Sequence, residues 1–258
     1  MGNWPAKSAV DERRDYRKAL TQMPHVFITG ANRGLGLEHA RQYVDQGWQV
    51  TVTARDPEAA TDLQALRERH GDALRIVQLD VTDHAAIEAL AEQLDGTPID
   101  ILLNNAGSFG PAGAPQGMAY QSLANMDYGI WRELLEINLL APFKIAVALR
   151  PNLIAGDQRL LVMMSTGLAS ITENLHGGAY AYRSSKAGLN ILARGMAAEW
   201  PDLVVIAMSP GWCRTDLGGP DAPIDPVDSV RAQQALYSRL GSADTGRFID
   251  MDGETVPW

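Results

Sequence analysis

Short apolar runs, rich in β-branched side chains, alternate with longer amphipathic stretches along most of this chain. The runs stay apolar along their whole length, a pattern that is typical of strands covered on both faces. Strands separated by amphipathic helices predict βαβ crossovers and hence a parallel sheet. We predict strands at 25–29, 49–53, 75–80, 99–105, 159–165, 203–209 and 247–251. The expected fold class is α/β, a doubly wound parallel sheet with helices on both faces.

Local signals place several helix starts. A helical pattern over 35–46 follows the first strand directly. Pro57 suits the first turn of the next helix, because its fixed φ is compatible with a helix start. Asp225, followed by Pro226, has the features of an N-cap for a late helix.

The chain shows no composition break, linker or internal repeat within 24–258, which we interpret as a single domain. Residues 1–23 are polar without clear periodicity and are expected to form an N-terminal extension. The Gly/Pro-rich stretch 107–117 follows a strand, so it is predicted to be a loop over the carboxyl edge of the sheet. Ligands bind at that edge in folds of this class.

Composition argues against several classes of function. The 22 Lys and Arg against 31 Asp and Glu give a net charge of -9, and no basic block appears, so a nucleic-acid partner is not expected. Cys213 is the single cysteine, which excludes an intrachain disulfide and a cysteine metal cluster. The five histidines show no paired spacing, so no metal site is predicted.

No segment has the pattern of a membrane anchor. The most apolar long stretch, 134–149, is interrupted by residues such as Glu136 and Lys144 and is too polar to cross a bilayer. The first residues carry mixed charges and lack the apolar segment of a secretory signal. We therefore expect a cytoplasmic protein without a membrane partner.

The sequence TGANRGLG (29–36) directly follows the first predicted strand. Gly30 permits a tight turn, while Gly34 and Gly36 let the backbone approach a pyrophosphate and let the helix pack close to the strand. The helix N-terminus supplies free N–H groups for phosphates. A glycine-rich turn without a ligand is the alternative, but the position after the first strand favours a dinucleotide site. The predicted contacts are Gly30, Asn32, Arg33, Gly34, Leu35 and Gly36.

The end of the second strand bears on the choice of nicotinamide cofactor. NAD binders usually carry an acidic residue there for the ribose hydroxyls. Here Ala54 lies near that position and Arg55 follows it, while Arg33 adds a second guanidinium from the glycine loop. Arginine pairs bidentately with phosphate, so NADP(H) is favoured over NAD(H). The alternative is that both arginines are solvated surface residues, and Asp56 is adjacent.

Asp80 and Val81 end the third strand, where we expect them to contact the adenine. An aspartate there is also compatible with a helix cap, for which Asp83 is the better candidate.

The segment 179–200 predicts a helix with Tyr182 and Lys186 at positions i and i+4, on one face. An ammonium near a phenol lowers the phenol pKa from about 10 toward neutrality. Such a tyrosine can donate a proton to a carbonyl oxygen, or remove it in the reverse reaction. This spacing alone arises easily by chance on an exposed helix, so the motif is weak in isolation.

Several motifs in order resemble the short-chain dehydrogenase/reductase family. They are TGANRGLG (29–36), Asp80-Val81, NNAG (104–107), Asn138 within INLLAPF, Ser165 at a strand end, YRSSK (182–186) and PGWCRT (210–215). The resemblance covers nearly everything from His25 onward. It implies a Rossmann fold and hydride transfer between a nicotinamide cofactor and a carbonyl or alcohol substrate.

The family resemblance also implies a role for each matched residue. Tyr182 would be the proton donor or acceptor, Lys186 would also bind the nicotinamide ribose, and Ser165 would hold the substrate carbonyl. Asn138 would support a water-linked proton path to the lysine, the alternative being a solvent-facing residue. The remaining implied cofactor contacts are Asn104, Ala106, Gly107, Pro210, Gly211 and Thr215.

One interval departs from the family pattern. Ser165 and Tyr182 are separated by 17 positions, more than is usual. Either the loop carries an insertion or another hydroxyl holds the substrate, and Thr166 and Ser170 are the competitors. We keep Ser165 because it ends a strand. The long loop, the arginine after the second strand and the ending DGETVPW are most similar to the sniffer/C-factor group of carbonyl reductases.

Two other functions stay open. A nucleotide-binding regulatory or signalling protein of the same fold would show little turnover, but it would have no use for a tuned tyrosine. An epimerase or dehydratase usually needs a longer substrate domain after PGWCRT.

Family members commonly form homodimers or homotetramers through the helices of Asn138 and Tyr182, which we expect here.

The substrate side is less constrained. Apolar side chains in the loops predict an apolar carbonyl compound, although they could simply pack the loops. These loop residues are Phe109, Leu168, His176, Trp212 and Leu217.

Cys213 has no basic partner nearby and is expected to be a packed small residue. The stretch 218–229 is a candidate mobile lid.

Overall fold

The computed structural model describes residues 23–114 and 116–258, and the part they form is built on one seven-stranded sheet. All strands pair in parallel, in the order β3-β2-β1-β4-β5-β6-β7. The strands are β1 His25–Ile28, β2 Gln49–Ala54, β3 Leu74–Gln78, β4 Ile101–Asn104, β5 Leu160–Met164, β6 Val204–Ser209 and β7 Phe248–Asp250. The predicted α/β fold and single domain are confirmed. The predicted N-terminal extension, apart from Met23, lies outside the described residues.

Helices cover both faces of this sheet. They are α1 Gly34–Asp45, α2 Thr61–His70, α3 His84–Gln93, α4 Tyr128–Leu135, α5 Ala141–Ala148, α6 Arg150–Ala155, α7 Tyr180–Glu199 and α8 Pro226–Tyr237. Successive strand residues point to opposite faces, so Val26 and Ile28 pack with α1, α2 and α8, whereas Phe27 packs with α3, α5 and α7. Burial on both faces explains why the strands are apolar throughout.

The predicted helix start at Pro57 is wrong. Helix α2 begins at Thr61, and residues 57–59 form a turn. The Asp56 carboxylate accepts the Ala59 N–H at 3.1 Å, so this side chain stabilises a turn where a helix would otherwise begin. The caps at Asp83 and Asp225 are confirmed, since their carboxylates accept the N–H groups of Ala86 and Val227.

Helices α4 and α5 are joined by a π-helical turn, Glu136–Leu140. Such turns insert a residue into the helical register and often lie at functional sites. Asn138 lies within this turn and is fully buried. The extra residue in this turn therefore directs the Asn138 amide toward the interior, although the segment around it is apolar.

The strand order reverses between β1 and β4, which are neighbours in the sheet. Connections from these two strands leave in opposite directions, so a crevice opens at their carboxyl ends. In the described part of the chain, no helix has the length and apolarity needed to cross a membrane.

Candidate active site

A cleft of about 1060 Å³ opens at the carboxyl edge of the sheet. Most of the predicted site residues line it: Gly30, Asn32, Arg33, Gly34, Leu35, Arg55, Asp80, Val81, Ala106, Gly107, Ser165, Tyr182, Lys186, Pro210, Gly211 and Thr215. Gly36, Asn104 and Asn138 lie behind its wall. The fold thus brings residues from all parts of the described chain to one site.

The glycine loop forms a cradle that a side chain would fill. Gly30 has a φ of +66°, and a Cβ there would lie 2.8 Å from the Ala106 Cα. A Cβ on Gly36 would lie 2.5 Å from the Asn105 Nδ2, so this glycine is needed for close packing behind the loop. Arg33, the N-cap of α1, makes no side-chain cap hydrogen bond to the first turn. The first amides of α1 and the open loop therefore fit a pyrophosphate.

Thr29 and Asn105 hold the two turns of the cradle together. The Thr29 hydroxyl accepts the N–H groups of Asn105 and Ala106, both at 3.0 Å. The Asn105 side chain donates to the carbonyls of Thr29 and Gly30, at 2.9 and 3.0 Å. Neither residue was predicted, although the first threonine of TGANRGLG and the second asparagine of NNAG were visible signals.

Asn104 was predicted to contact the cofactor, and the structure instead places it outside the lining of the cleft. It ends β4 and its Nδ2 donates to the Pro142 carbonyl at 3.0 Å, so it fastens α5 to the sheet. Its Oδ1 is buried without a partner. Alternation along the strand turns Asn104 away from the cleft, while Asn105 contacts the glycine loop.

The end of β2 presents no carboxylate to the cleft. Ala54 is buried there and Arg55 is exposed beside it. Arg33 pairs with Asp216 across the mouth, with 2.9 Å between Nη1 and Oδ2 and both side chains exposed. The Asp80 pKa lies below its usual value, chiefly because the carboxylate accepts the Thr82 N–H, with Arg55 contributing. Two cations, Arg33 and Arg55, and two carboxylates, Asp80 and Asp216, therefore frame this end of the cleft.

Tyr182 and Lys186 are both buried on the inner face of α7. Burial lowers the pKa of Lys186 to about 8, and its ammonium donates to the Met164 carbonyl at 2.8 Å. Burial raises the pKa of Tyr182 to about 12, partly offset by a hydrogen bond with Thr166. The expectation that Lys186 lowers the tyrosine pKa is therefore wrong for this structure, because desolvation dominates and the ammonium is directed at a carbonyl.

Two adjacent hydroxyl residues, Ser165 and Thr166, share the cleft with Tyr182. Ser165 is buried and its Oγ donates to Asn190 Oδ1 at 2.6 Å. Thr166 is the next residue, and successive residues in extended backbone point to opposite sides. Both residues line the cleft, but the Ser165 hydroxyl is occupied by Asn190, whereas the Thr166 hydroxyl lowers the pKa of the Tyr182 phenol slightly.

Asn138 is fully buried, so the solvent-facing alternative is excluded. Its Oδ1 accepts the Ser108 N–H, and its Nδ2 donates to the Ser108 carbonyl, both at 2.8 Å. The same Nδ2 lies 3.0 Å from the Ser185 Oγ. A Cβ on Gly107 would meet both Asn138 Oδ1 at 3.2 Å and Lys186 Nζ at 3.3 Å. The amide therefore fixes the loop after β4 against the helix that carries Tyr182 and Lys186.

The substrate side of the cleft is largely apolar. Phe109, Leu168, Trp212 and Leu217 line it as expected, together with Met118. The predicted contribution of His176 is wrong, since this exposed residue lies outside the lining.

The loop after β6 is held by its own polar contacts. Cys213 is buried, its thiol donates to the Pro210 carbonyl at 3.2 Å, and burial raises its pKa, as expected of a packed residue. Arg214 binds the Ala222 carbonyl and pairs with Asp225 at 3.2 Å, which fastens the candidate lid. Its ordering by a cofactor stays a prediction.

Comparisons with known proteins show the family to which the chain belongs. The family model described as short chain dehydrogenase matches residues 24–223. The chain belongs to the short-chain dehydrogenase/reductase family. Within this family of oxidoreductases, the C-signal protein of Myxococcus xanthus is 36% identical over 174 residues, covering 67% of this chain and 100% of that protein.

Solved structures of the family superpose closely. The carbonyl reductase Sniffer of D. melanogaster gives a TM-score of 0.84 at 30% identity, covering 92% of this chain and 100% of that chain. A carbonyl reductase from Pseudomonas aeruginosa PAO1 in complex with NADP gives 0.76 at 32% identity, with the same coverages. The predicted family and the similarity to sniffer-type carbonyl reductases are confirmed.

Proposed function

We propose that this protein is an NADP(H)-dependent reductase that interconverts apolar carbonyl compounds and alcohols, with Tyr182 as the general acid/base. One observation carries the proposal: Tyr182, Lys186 and Thr166 share a single cleft with a glycine cradle. The similarity to carbonyl reductases, including one solved with NADP, supports it.

The cleft fits a nicotinamide dinucleotide phosphate. The cradle at Gly30 and the uncapped first turn of α1 would hold the pyrophosphate. Arg33 and Arg55 would hold the 2′-phosphate, since no carboxylate ends β2 to compete with it. Asp80 and Val81 would contact the adenine, while Pro210, Gly211 and Thr215 would lie by the nicotinamide.

When bound, NADPH supplies the hydride that the carbonyl carbon accepts. Tyr182 donates the proton that the carbonyl oxygen gains, so the substrate takes up one hydride and one proton and leaves as an alcohol. A phenol whose pKa is raised to about 12 is protonated at neutral pH, the form that reduction requires. The phenol is therefore in the state from which carbonyl reduction starts.

The other polar groups support this proton transfer. The Thr166 hydroxyl, which lines the cleft, would donate to the carbonyl oxygen as negative charge develops on it. Lys186, with a pKa of about 8, carries a proton at neutral pH that can replace the one lost by the phenol. Asn138 holds the loop at Gly107 against this lysine.

The apolar wall sets the expected substrate class. Phe109, Leu168, Trp212 and Leu217 present no cation on this side that would bind a carboxylate or phosphate. Uncharged ketones, aldehydes or quinones with an apolar body therefore fit better than keto acids.

A second candidate function is a signalling protein with little turnover, favoured by the similarity to C-signal. The two functions differ in what they require of Tyr182. A binder would keep its biological activity when the phenol oxygen is removed, whereas a reductase would lose it.

The test is a panel of apolar carbonyl compounds with NADPH or NADH, followed by absorbance at about 340 nm. We expect oxidation of NADPH, and Tyr182→Phe to lower kcat by about 10³-fold while the Kd for NADPH changes less than about twofold. Tyr180→Phe, outside the cleft lining, is the matched control. Absence of turnover with every compound, or full activity of Tyr182→Phe, would contradict the proposal.

The proposed assembly rests on apolar side chains at the surface of the protein. Apolar side chains stay exposed on α4, α5 and α7, including Tyr128, Phe143, Val147 and Ile191. A homodimer or homotetramer that covers these helices is the expected assembly, and its mass in solution by light scattering tests it. A cytoplasmic location stays a prediction.

A further inference from the structure

Gln121 is a fully buried polar side chain that the mechanism above does not use. It lies between the loop after β4 and helix α4, remote in sequence from the catalytic tyrosine. A buried amide is unfavourable unless its donors and acceptor are satisfied, so its partners indicate why it is there.

The Gln121 side chain joins two segments that form the wall around Tyr182. Its Nε2 donates to the Phe109 carbonyl at 2.8 Å and to the Gly117 carbonyl at 3.2 Å. Its Oε1 accepts the Tyr182 N–H at 2.7 Å. Both donors and the acceptor are thus used, and one end of the amide contacts the catalytic residue itself.

Helix α7 lacks a cap of its own. Its N-cap residue, Ala179, has a φ of 46° in the left-handed region and no side chain that could accept a hydrogen bond. The first N–H groups of a helix need outside partners. Gln121 provides two of them, because its carbonyl accepts the Tyr180 N–H at 3.2 Å while its side chain accepts that of Tyr182.

The same amide also holds the ring that packs on Tyr182. The Phe109 and Tyr182 rings lie 4.6 Å apart between centroids, at an angle of 43°. Gln121 is bonded to the backbone of each of these residues. A single side chain therefore fixes the relative position of the phenol and the aromatic wall against which it rests.

We propose that Gln121 is a positioning residue for catalysis, which caps the helix of Tyr182 and holds the phenol against Phe109 in line with the substrate. The inference rests on the proposed function, because positioning matters only if Tyr182 transfers a proton. Misplacement of a reacting group by about 1 Å is enough to lower a rate about 10²-fold.

The test compares Gln121→Met with wild type, using Gln116→Met as the matched control. Methionine preserves side-chain length but removes all three hydrogen bonds, and Gln116 is an exposed glutamine in the same segment. We expect kcat for carbonyl reduction to fall at least about tenfold in Gln121→Met, because the phenol is no longer fixed. The Kd for NADPH should change less than about twofold, since Gln121 is not in the lining of the cofactor end.

A second readout needs no turnover. Amide exchange of cofactor-free protein should accelerate at the first turn of α7 in Gln121→Met, because the Tyr182 N–H loses its acceptor. Gln116→Met should match wild type in both readouts.

Four outcomes overturn the inference. A folded Gln121→Met protein with wild-type kcat would do so, as would unchanged exchange at α7. Loss of NADPH binding in proportion to kcat would show a general structural role instead. Should Gln121→Met not fold, Gln121→Asn keeps a buried amide but is one methylene too short to join the Tyr182 N–H and the Phe109 carbonyl as Gln121 does, and wild-type kcat in that variant overturns the inference as well. A wild-type enzyme without turnover contradicts the proposed function itself, even where the exchange readout shows that Gln121 caps α7.

Discussion

The two ends of the cleft are built in different ways. At the cofactor end, the cradle is mainly backbone from two short turns, and glycines such as Gly30 provide the space. At the reactive end, buried side chains from separate segments meet, among them Lys186, Asn138 and Gln121. A backbone cradle tolerates changes around it as long as the turn survives. A site made of buried amides and an ammonium depends on every partner being present, because each buried polar group is unfavourable alone.

At the reactive end, we expect substitutions of the adjacent residues Thr166 and Ser165 to differ most in their effect on kcat. Thr166→Ala should lower kcat about 10²-fold, the usual effect of removing one donor to a developing oxyanion. Ser165→Ala should change kcat less than about threefold but destabilise the protein by about 1–3 kcal/mol, since Asn190 loses a buried partner. Steady-state kinetics and thermal melts of both variants separate the two roles. A larger kcat loss in Ser165→Ala would restore Ser165 as the substrate hydroxyl.

The buried ammonium at the reactive end should reduce stability. Burial lowers the pKa of Lys186 from 10.5 to about 8, so the charged form at pH 7 disfavours folding. Lys186→Met should lose activity yet raise the free energy of unfolding at pH 7 by about 1–2 kcal/mol. This gain in stability should be full below about pH 8. It should shrink as the pH rises toward 10.5, the pKa of the lysine in the unfolded chain, because the wild-type lysine is then uncharged in the folded protein.

Denaturant titrations at neutral and alkaline pH measure this effect. Lys144→Met is the control, since it removes a lysine paired with Glu88 at the surface, where solvent screens the ion pair. A Lys186→Met protein less stable than wild type at pH 7 would show that the bond to the Met164 carbonyl outweighs the desolvation.

The smallest effect belongs to the cofactor end. Arg55→Ala should raise the Kd for NADPH about tenfold and leave that for NADH nearly unchanged, because only NADPH carries the 2′-phosphate. Fluorescence titration with each cofactor measures both, and the exposed Arg67→Ala on α2 is the control. Equal losses for the two cofactors would contradict the preference for NADP(H).

The contrast between the two ends of the cleft also explains which features could be predicted from the sequence. The strands and the glycine loop follow from apolar runs and a contiguous motif, so they were predictable. The helix start at Thr61 was missed because the Asp56 side chain competes locally with the helix. Asn105 was missed, and Thr166 was named only as a competitor of Ser165, for another reason. Which of two adjacent polar side chains faces the cleft depends on strand pleat and packing, which composition and spacing do not encode.

The ion pair between Arg33 and Asp216 joins residues 183 positions apart across the cleft mouth. Both side chains are exposed, so the pair is worth at most about 1 kcal/mol. A dianionic phosphate reaching Arg33 would displace Asp216, and nucleotide entry would then be an exchange of one anion for another. Entry of NADPH would release the loop at Thr215 from the glycine loop, whereas NADH would leave it fastened. We expect the association rate of NADPH, but not of NADH, to depend on Asp216 and on ionic strength, which stopped-flow mixing can measure.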